Sequence, residues 1–226
     1  MKPEERENER YAKEDFCPIS REEEIMFSLL SQYTRQCRLQ KKDMCILDLG
    51  CGSGRISKKM IDLGYQVVGL DFSEEAVKKA LALGILAKQT NLDEGIKEPS
   101  NTFDIVWAGD IIEHVFDPIG LLKESHRVLK NGGVMFITIP SDVGLVSRIK
   151  MLFGISHQEQ MYMTSGFYKH HTFFTPRLIK FMLHKANLHI EKFHKILILG
   201  KKHYHVNFLP SIFFNEMIIQ AKKHEI

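Results

Sequence analysis

Between Met44 and Pro140, short apolar runs alternate with stretches of helical period, and this alternation restricts the chain more than any other feature of it. "MCILDLG", "QVVGLD", "ILAKQ", "TFDIVWAG" and "VMFITIP" read as five successive strands. Between the first three, "RISKKMIDLG" places Ile56, Met60 and Ile61 on one helical face and stops at Gly64. "EEAVKKALALG" follows Ser73 as cap, with two glutamates in the first turn where the helix dipole favours them. Asp117–Pro118 opens a further helix expected to run to "KNGG", and Thr175–Pro176 opens another over "RLIKFMLHKAN". A sixth strand falls within "LHIEKFHKILIL", and "NEMIIQAKK" is a final one. Strands that are apolar throughout and separated by helices belong to a parallel sheet covered on both faces.

The 226 residues suit one substantial domain, and 44% hydrophobic with 26% charged residues is the composition of an ordinary globular protein. No apolar run approaches the roughly 18 to 20 residues that cross a bilayer. The opening "MKPEERENERYAKEDF" is too charged for a secretory signal. Cys17, Cys37, Cys45 and Cys51 form no CxxC pair and no zinc spacing, so reduced thiols and a cytoplasmic location are expected. The chain divides into an N-terminal helical segment (1–40) and a main domain (41–226). The first segment is read either as a flap over a cofactor, with Tyr11 in contact, or as a loose tail. Residues 142–171 have no clean period and are expected to form a lid over a substrate. Nine Lys/Arg against three Glu after Thr175 give that end +6, against −3 for the rest. A solvated face explains this, and so would an anionic partner.

"ILDLGCGSGR" sets three glycines into five positions directly after the first strand. Gly50 and Gly52 would permit a tight turn and close approach of a ligand to exposed backbone N–H groups, and Gly54 would let helix and sheet pack. Asp71, at the end of the second strand, is placed to accept hydrogen bonds from ribose hydroxyls, which points to a nucleoside. A dinucleotide fingerprint needs a third glycine where Arg55 stands, so the spacing is G-x-G-x-G. Asp48 nearby is awkward for a pyrophosphate and suits a cationic amino-acid moiety.

"ILDLGCGSGR", "VVGLDFS", "FDIVWAGDIIEHVFDP" and "LLKESHRVLKNGGVMFITIPS" resemble, in order, the motifs of class I S-adenosylmethionine-dependent methyltransferases. "HHTFFTPRLIKFMLHKANL" is similar to the segment after the insertion in a branch that acts mostly on small molecules. The resemblance implies an α/β, Rossmann-like sheet of seven mostly parallel strands, helices on both faces, the last strand antiparallel beside the fifth. It implies that Asp48, Gly50, Cys51, Gly52 and Gly54 line the methionine end of S-adenosylmethionine, and that Asp71 binds the ribose. Phe72 would flank the adenine, Asn91 and Leu92 would meet its edge, and Ala108, just past the fourth strand, would give a backbone contact to the methionine ammonium. The family usually has an acid where Asn91 stands.

Methyl transfer from a sulfonium needs alignment and exclusion of water, and an alcohol or phenol acceptor benefits from a base near neutral pH. His114, beyond the fourth strand, is a candidate base, with a scaffolding role in its loop as the alternative reading. His170, where the insertion returns, is expected to touch substrate or hold the lid. Asp110, Glu113 and His114 have the offsets of a divalent-metal site, and quinone-precursor O-methyltransferases, which this stretch resembles, use a similar cluster. A metal is nevertheless not the favoured reading. The expectation is thus an enzyme that methylates a small molecule, at oxygen, leaving S-adenosylhomocysteine. The alternatives are an RNA or protein methyltransferase using the basic C-terminal stretch, and a cofactor-binding module without catalysis. No RNA-binding module accompanies that stretch, which argues against nucleic acid.

Overall fold

The computed structural model describes residues 5, 7–9, 11, 20–37, 39–141, 144–155, 170–199, 202–207, 210 and 213–224. Cys17 and most of 142–171 therefore lie outside the described residues. After helical residues at 5, 7–9 and 11, helix α1 spans Arg21–Gln36. The chain continues through β1 (Cys45–Leu49), α2 (Arg55–Asp62), β2 (Gln66–Asp71), α3 (Glu74–Ala82), β3 (Leu86–Gln89) and β4 (Phe103–Gly109). Then come α4 (Pro118–Val128), β5 (Leu129–Pro140), α5 (Leu145–Leu152), α6 (Pro176–Lys185), β6 (Leu188–Leu199), β7 (Lys202–His205) and β8 (Glu216–Lys223).

The strands form one sheet in the order β3-β2-β1-β4-β5-β8-β6-β7. The first five are parallel, and β8 inserts antiparallel between β5 and β6. This is the seven-stranded, mostly parallel Rossmann-like sheet expected, with β7 added antiparallel at the outer edge against β6.

Along the central strands, side chains alternate between two apolar layers. Leu47, Val106, Ala108, Met135 and Ile137 face α4 and α6, while Ile46, Ile105, Trp107, Val134 and Phe136 face α1 and α2. Burial on both faces is why these strands read as unbroken apolar runs. The helix starts are local: Ser73, Asp117 and Thr175 each accept a hydrogen bond from a backbone N–H in the first turn, and Pro118 and Pro176 stand at the first helical positions.

One boundary differs from expectation. The helix before β5 stops at Val128, and "KNGG" is a bulge inside β5, not a helix end. Leu129 pairs with Phe103 while Val134 pairs with Ile105, so 130–133 loop out of register. Asp104 holds this bulge: its carboxylate accepts from Lys130 Nζ at 2.8 Å and from the Cys45 N–H at 2.9 Å. A Cβ at Gly133 would lie 2.9 Å from the Lys130 carbonyl, so the bulge closes only without a side chain there.

Candidate active site

The carboxyl ends of β1, β2, β4 and β5 meet on one side of the sheet, and the turn after β1 sits at their centre. Gly50, Gly52 and Gly54 all have positive φ, at 68°, 56° and 86°. The space each leaves is used differently. A Cβ at Gly50 would strike Ile111 of the loop after β4, and one at Gly54 would strike Ile85 and Ala80. At Gly52 the nearest atom is the Tyr11 hydroxyl, at 2.8 Å from the position a Cβ would take. Gly50 and Gly54 thus pack against core side chains, and Gly52, itself buried, packs under Tyr11.

The turn spends its N–H groups internally, contrary to the expectation that they would be exposed. Those of Gly50 and Cys51 donate to the Leu70 carbonyl at 2.8 and 3.0 Å, and that of Gly52 donates to Asp71 Oδ2 at 2.8 Å. Asp71 Oδ1 accepts from the Ser73 N–H at 2.9 Å. Each Asp71 oxygen accepts from a backbone donor, which fixes the carboxylate at the end of β2. The arrangement suits ribose hydroxyls better than a pyrophosphate.

Asp48 is 3% exposed, and the Ser57 hydroxyl donates to its Oδ2 at 2.5 Å. Burial, opposed by that hydrogen bond and reinforced by the Asp71 carboxylate, pushes its pKa up to about 7. Ser57 was not among the expected site residues; an inward-facing serine on α2 gives no sequence signal of its own. Cys51 is buried under the turn, and burial with the charges of Asp48 and Asp71 pushes its thiol pKa up.

Of the residues expected around the adenine, Leu92 is buried, Phe72 is half-buried and Asn91 caps the short helical turn Leu92–Glu94. The Asn91 carbonyl oxygen accepts from the Asp93 N–H and its amide donates to Glu94 Oε1, both at 3.1 Å. Ala108 lies within β4, not past it, because the strand keeps pairing with β5 as far as Gly109–Thr138.

Beyond β4 the chain turns sharply. Asp110 has φ 49°, and its carboxylate accepts from the Thr138 hydroxyl at 2.8 Å, which ties it to β5. The donors that converge are therefore Glu113, His114 and His170: one ligand atom from each lies within 4.8 Å of the others. His170 thus stands where the disfavoured metal set had Asp110 beside Glu113 and His114. The backbone supplies the reason, since the Glu113 carbonyl accepts from the N–H groups of His171 at 2.7 Å and Thr172 at 3.3 Å. The returning insertion is thereby docked on the loop after β4, with Phe174 fully buried as its anchor. The His114 and His170 rings meet edge to face with centroids 4.9 Å apart.

Two acids of this region are buried. Glu113 is 1% exposed with Oε1 4.0 Å from His114 Nε2. Glu216, the first residue of β8, is buried, and burial with the charges of Asp110, Glu113 and Glu22 pushes its pKa well up. Its Oε1 has no hydrogen-bond partner among the described residues. Sequence reading missed Glu216; an acid opening an otherwise apolar strand was the available signal.

A parallel sheet with a glycine turn after its first strand, and an anchored carboxylate ending the next strand, defines a Rossmann-like domain. Residues 22–192 match the model of a family described as a methyltransferase domain, and the chain belongs to that family. The ubiquinone biosynthesis O-methyltransferase of Parvibaculum lavamentivorans is 38% identical over 102 residues, 42% of this chain and 40% of that protein. The human mitochondrial ubiquinone biosynthesis O-methyltransferase is 31% identical over 157 residues, 66% of this chain and 42% of that protein. The aligned stretches thus span about two fifths of these relatives' length. Among solved structures, an S-adenosylmethionine-dependent methyltransferase from Mesorhizobium loti superposes with a TM-score of 0.66 at 19% identity, over 89% of this chain and 97% of that one. One from Methanosarcina mazei gives 0.65 at 23% identity, over 88% and 98%. Such likenesses show the fold.

S-adenosylmethionine is the cofactor that goes with this family, and the residues present fit it. The glycine turn keeps side chains out of the end of β1, Asp71 offers a fixed carboxylate for the ribose, and Asp48 offers a carboxyl for a cation. Among the described residues no helix is long and apolar enough to cross a membrane.

Proposed function

We propose that this protein transfers a methyl group from S-adenosylmethionine to an oxygen of a small-molecule acceptor. The observation that carries the reading is the meeting of His114 and His170 on the loop after β4, whose Ile111 packs on Gly50 of the glycine turn. The cofactor supplies an electrophilic methyl on a sulfonium and leaves as the neutral thioether. The chain's residues do the rest. His114 accepts the acceptor's hydroxyl proton as the new O–CH3 bond forms and the S–CH3 bond breaks, and the buried Glu113 carboxylate stabilises the resulting imidazolium. His170 positions the acceptor, and the docked segment from His170 to Phe174 excludes water. The names of the ubiquinone-pathway relatives support a phenolic or catecholic acceptor.

The test pairs calorimetric titration of S-adenosylmethionine and S-adenosylhomocysteine with methyl transfer to a panel of catechols. Binding of both and transfer to a hydroxyl are expected, with His114→Ala lowering kcat by about 10²–10⁴. Absence of binding at high micromolar ligand ends the reading.

The convergence of Glu113, His114 and His170 favours a second reading of the same site. These residues would hold a divalent cation that acidifies a bound hydroxyl. Exhaustive dialysis against chelator separates the two: the base reading keeps turnover, and the metal reading loses it until a divalent ion is restored.

A further inference from the structure

Where β5 ends and β8 begins, two buried polar side chains each leave an atom unused. Glu216 is 9% exposed and Ser141 6% exposed. Among the described residues, neither Glu216 Oε1 nor Ser141 Oγ has a hydrogen-bond partner. The strand register sets the two at neighbouring positions: Pro140 lies opposite Glu216, and the Ser141 N–H donates to the Asn215 carbonyl at 2.9 Å. The same register joins them to the loop after β4. Thr138, about 7 Å before Pro140 along β5 and on the same face of the sheet, donates its hydroxyl to Asp110 at 2.8 Å. Asp110 opens the loop that carries Glu113 and His114. The charges that bear on Glu216 are those of Asp110, Glu113 and Glu22, all negative, and the Ile139 backbone hydrogen bond opposes them.

An unpaired carboxylate oxygen in the interior is costly to the fold, and a ligand that brings a donor removes that cost. The surrounding charge decides which donor. Three acids around Glu216 favour a cation over a neutral hydroxyl and repel an anion. The ligand atoms that converge for a metal ion belong to Glu113, His114 and His170, and Glu216 is outside that set. The cation that suits Glu216 is therefore an organic one. We propose that Glu216, with the Ser141 hydroxyl beside it, binds a protonated amine of the methyl acceptor. The acceptor is then a phenol or catechol carrying an aminoalkyl side chain, its hydroxyl at His114 and its ammonium at the head of β8. The inference rests on the oxygen-methylation reading and names the substrate class for that site. An ammonium carries several N–H donors, so it satisfies Glu216 Oε1 and Ser141 Oγ together.

The test uses the full chain and three catechols of one shape, with an aminoethyl, a propyl or a carboxyethyl side chain. Their Kd is read by calorimetry with S-adenosylhomocysteine saturating, and their kcat/KM with S-adenosylmethionine saturating. In the wild type the aminoethyl compound should be favoured over the propyl one by about 10–100-fold in both readings, with the carboxyethyl compound the poorest. Glu216→Gln, which keeps the shape and removes the charge, should bring that ratio close to one. Glu216→Asp should keep part of the preference, and Ser141→Ala should lower it by a smaller factor than Glu216→Gln does. A wild type that takes the aminoethyl and propyl compounds equally well overturns the subsite and leaves oxygen methylation standing. A preference that survives intact in Glu216→Gln also overturns it. If S-adenosylhomocysteine binds and none of the three catechols is bound or methylated, the phenolic acceptor itself is wrong, and the subsite falls with it.

Discussion

At the scale of single residues, the site's chemistry is set by what burial does to charge. Asp48 is held near neutrality's midpoint, its pKa pushed up to about 7 by burial. A ligand ammonium beside it favours the ionised form, so below pH 7 binding must release the Asp48 proton, and above pH 7 nothing is released. Affinity for S-adenosylhomocysteine should therefore fall by up to about tenfold per pH unit below 7 and level off above it. Asp48→Asn should flatten that profile and weaken binding at pH 8 by about 10–100-fold, the worth of a hydrogen bond to a charged group. Calorimetry at pH 6, 7 and 8 reads both. The glycines separate in a similar way. Gly54→Ala would set a Cβ 2.3 Å from Ile85 Cδ1 at φ 86°, so it should lower stability by about 1–2 kcal/mol for the backbone and about 1–3 kcal/mol for the overpacking. Gly52→Ala meets only the movable end of Tyr11. It should pay the backbone cost alone in denaturant unfolding, about 1–2 kcal/mol.

At the scale of elements, legibility in the sequence followed from whether an element's partners were local. The five parallel strands could be read because burial on both faces leaves an unbroken apolar run, and the helix starts because Ser73, Asp117 and Thr175 cap their own first turns. "KNGG" was misread because its conformation is imposed from another strand, through Asp104. β7 was missed because its register exists only against β6. The same division holds in the site: Gly52 and Asp71 carry a local pattern, while Ser57 and Glu216 become site residues only through folding. Helix α1 shows what distant packing contributes. Its helical character was legible, but not that Met26 and Leu30 would be fully buried against the face carrying Trp107 and Phe136. Phe27 stacks at 5.2 Å on that tryptophan. Leu30→Ala should cost about 2–5 kcal/mol in denaturant unfolding, with quenching or shift of the Trp107 fluorescence tracking the same transition.

For the whole molecule, the decisive feature is β8, which runs against its neighbours and so brings its first residue to the carboxyl ends of the parallel strands. That reversal delivers Glu216 to Asp110 and Glu113, where burial and their charge push its pKa well above the ordinary carboxylate value. The consequence for stability has a definite sign. A carboxyl whose pKa is higher in the folded chain binds protons more tightly there, so the fold carries no penalty below the unfolded pKa of about 4.3. Stability is lost as pH rises beyond that value, and the loss stops growing only once the folded-state pKa has been passed. Glu216→Gln keeps the shape and removes the charge. Measured by urea unfolding without cofactor or metal, it should match the wild type at pH 4 and be the more stable protein at pH 8, the gap widening steadily between. The acid would then be retained at a cost to the fold, as a carboxylate kept for a cation in the site. Equal stability of the two proteins across that range would instead make Glu216 an ordinary structural residue and remove the acidic end of β8 from any account of the chemistry.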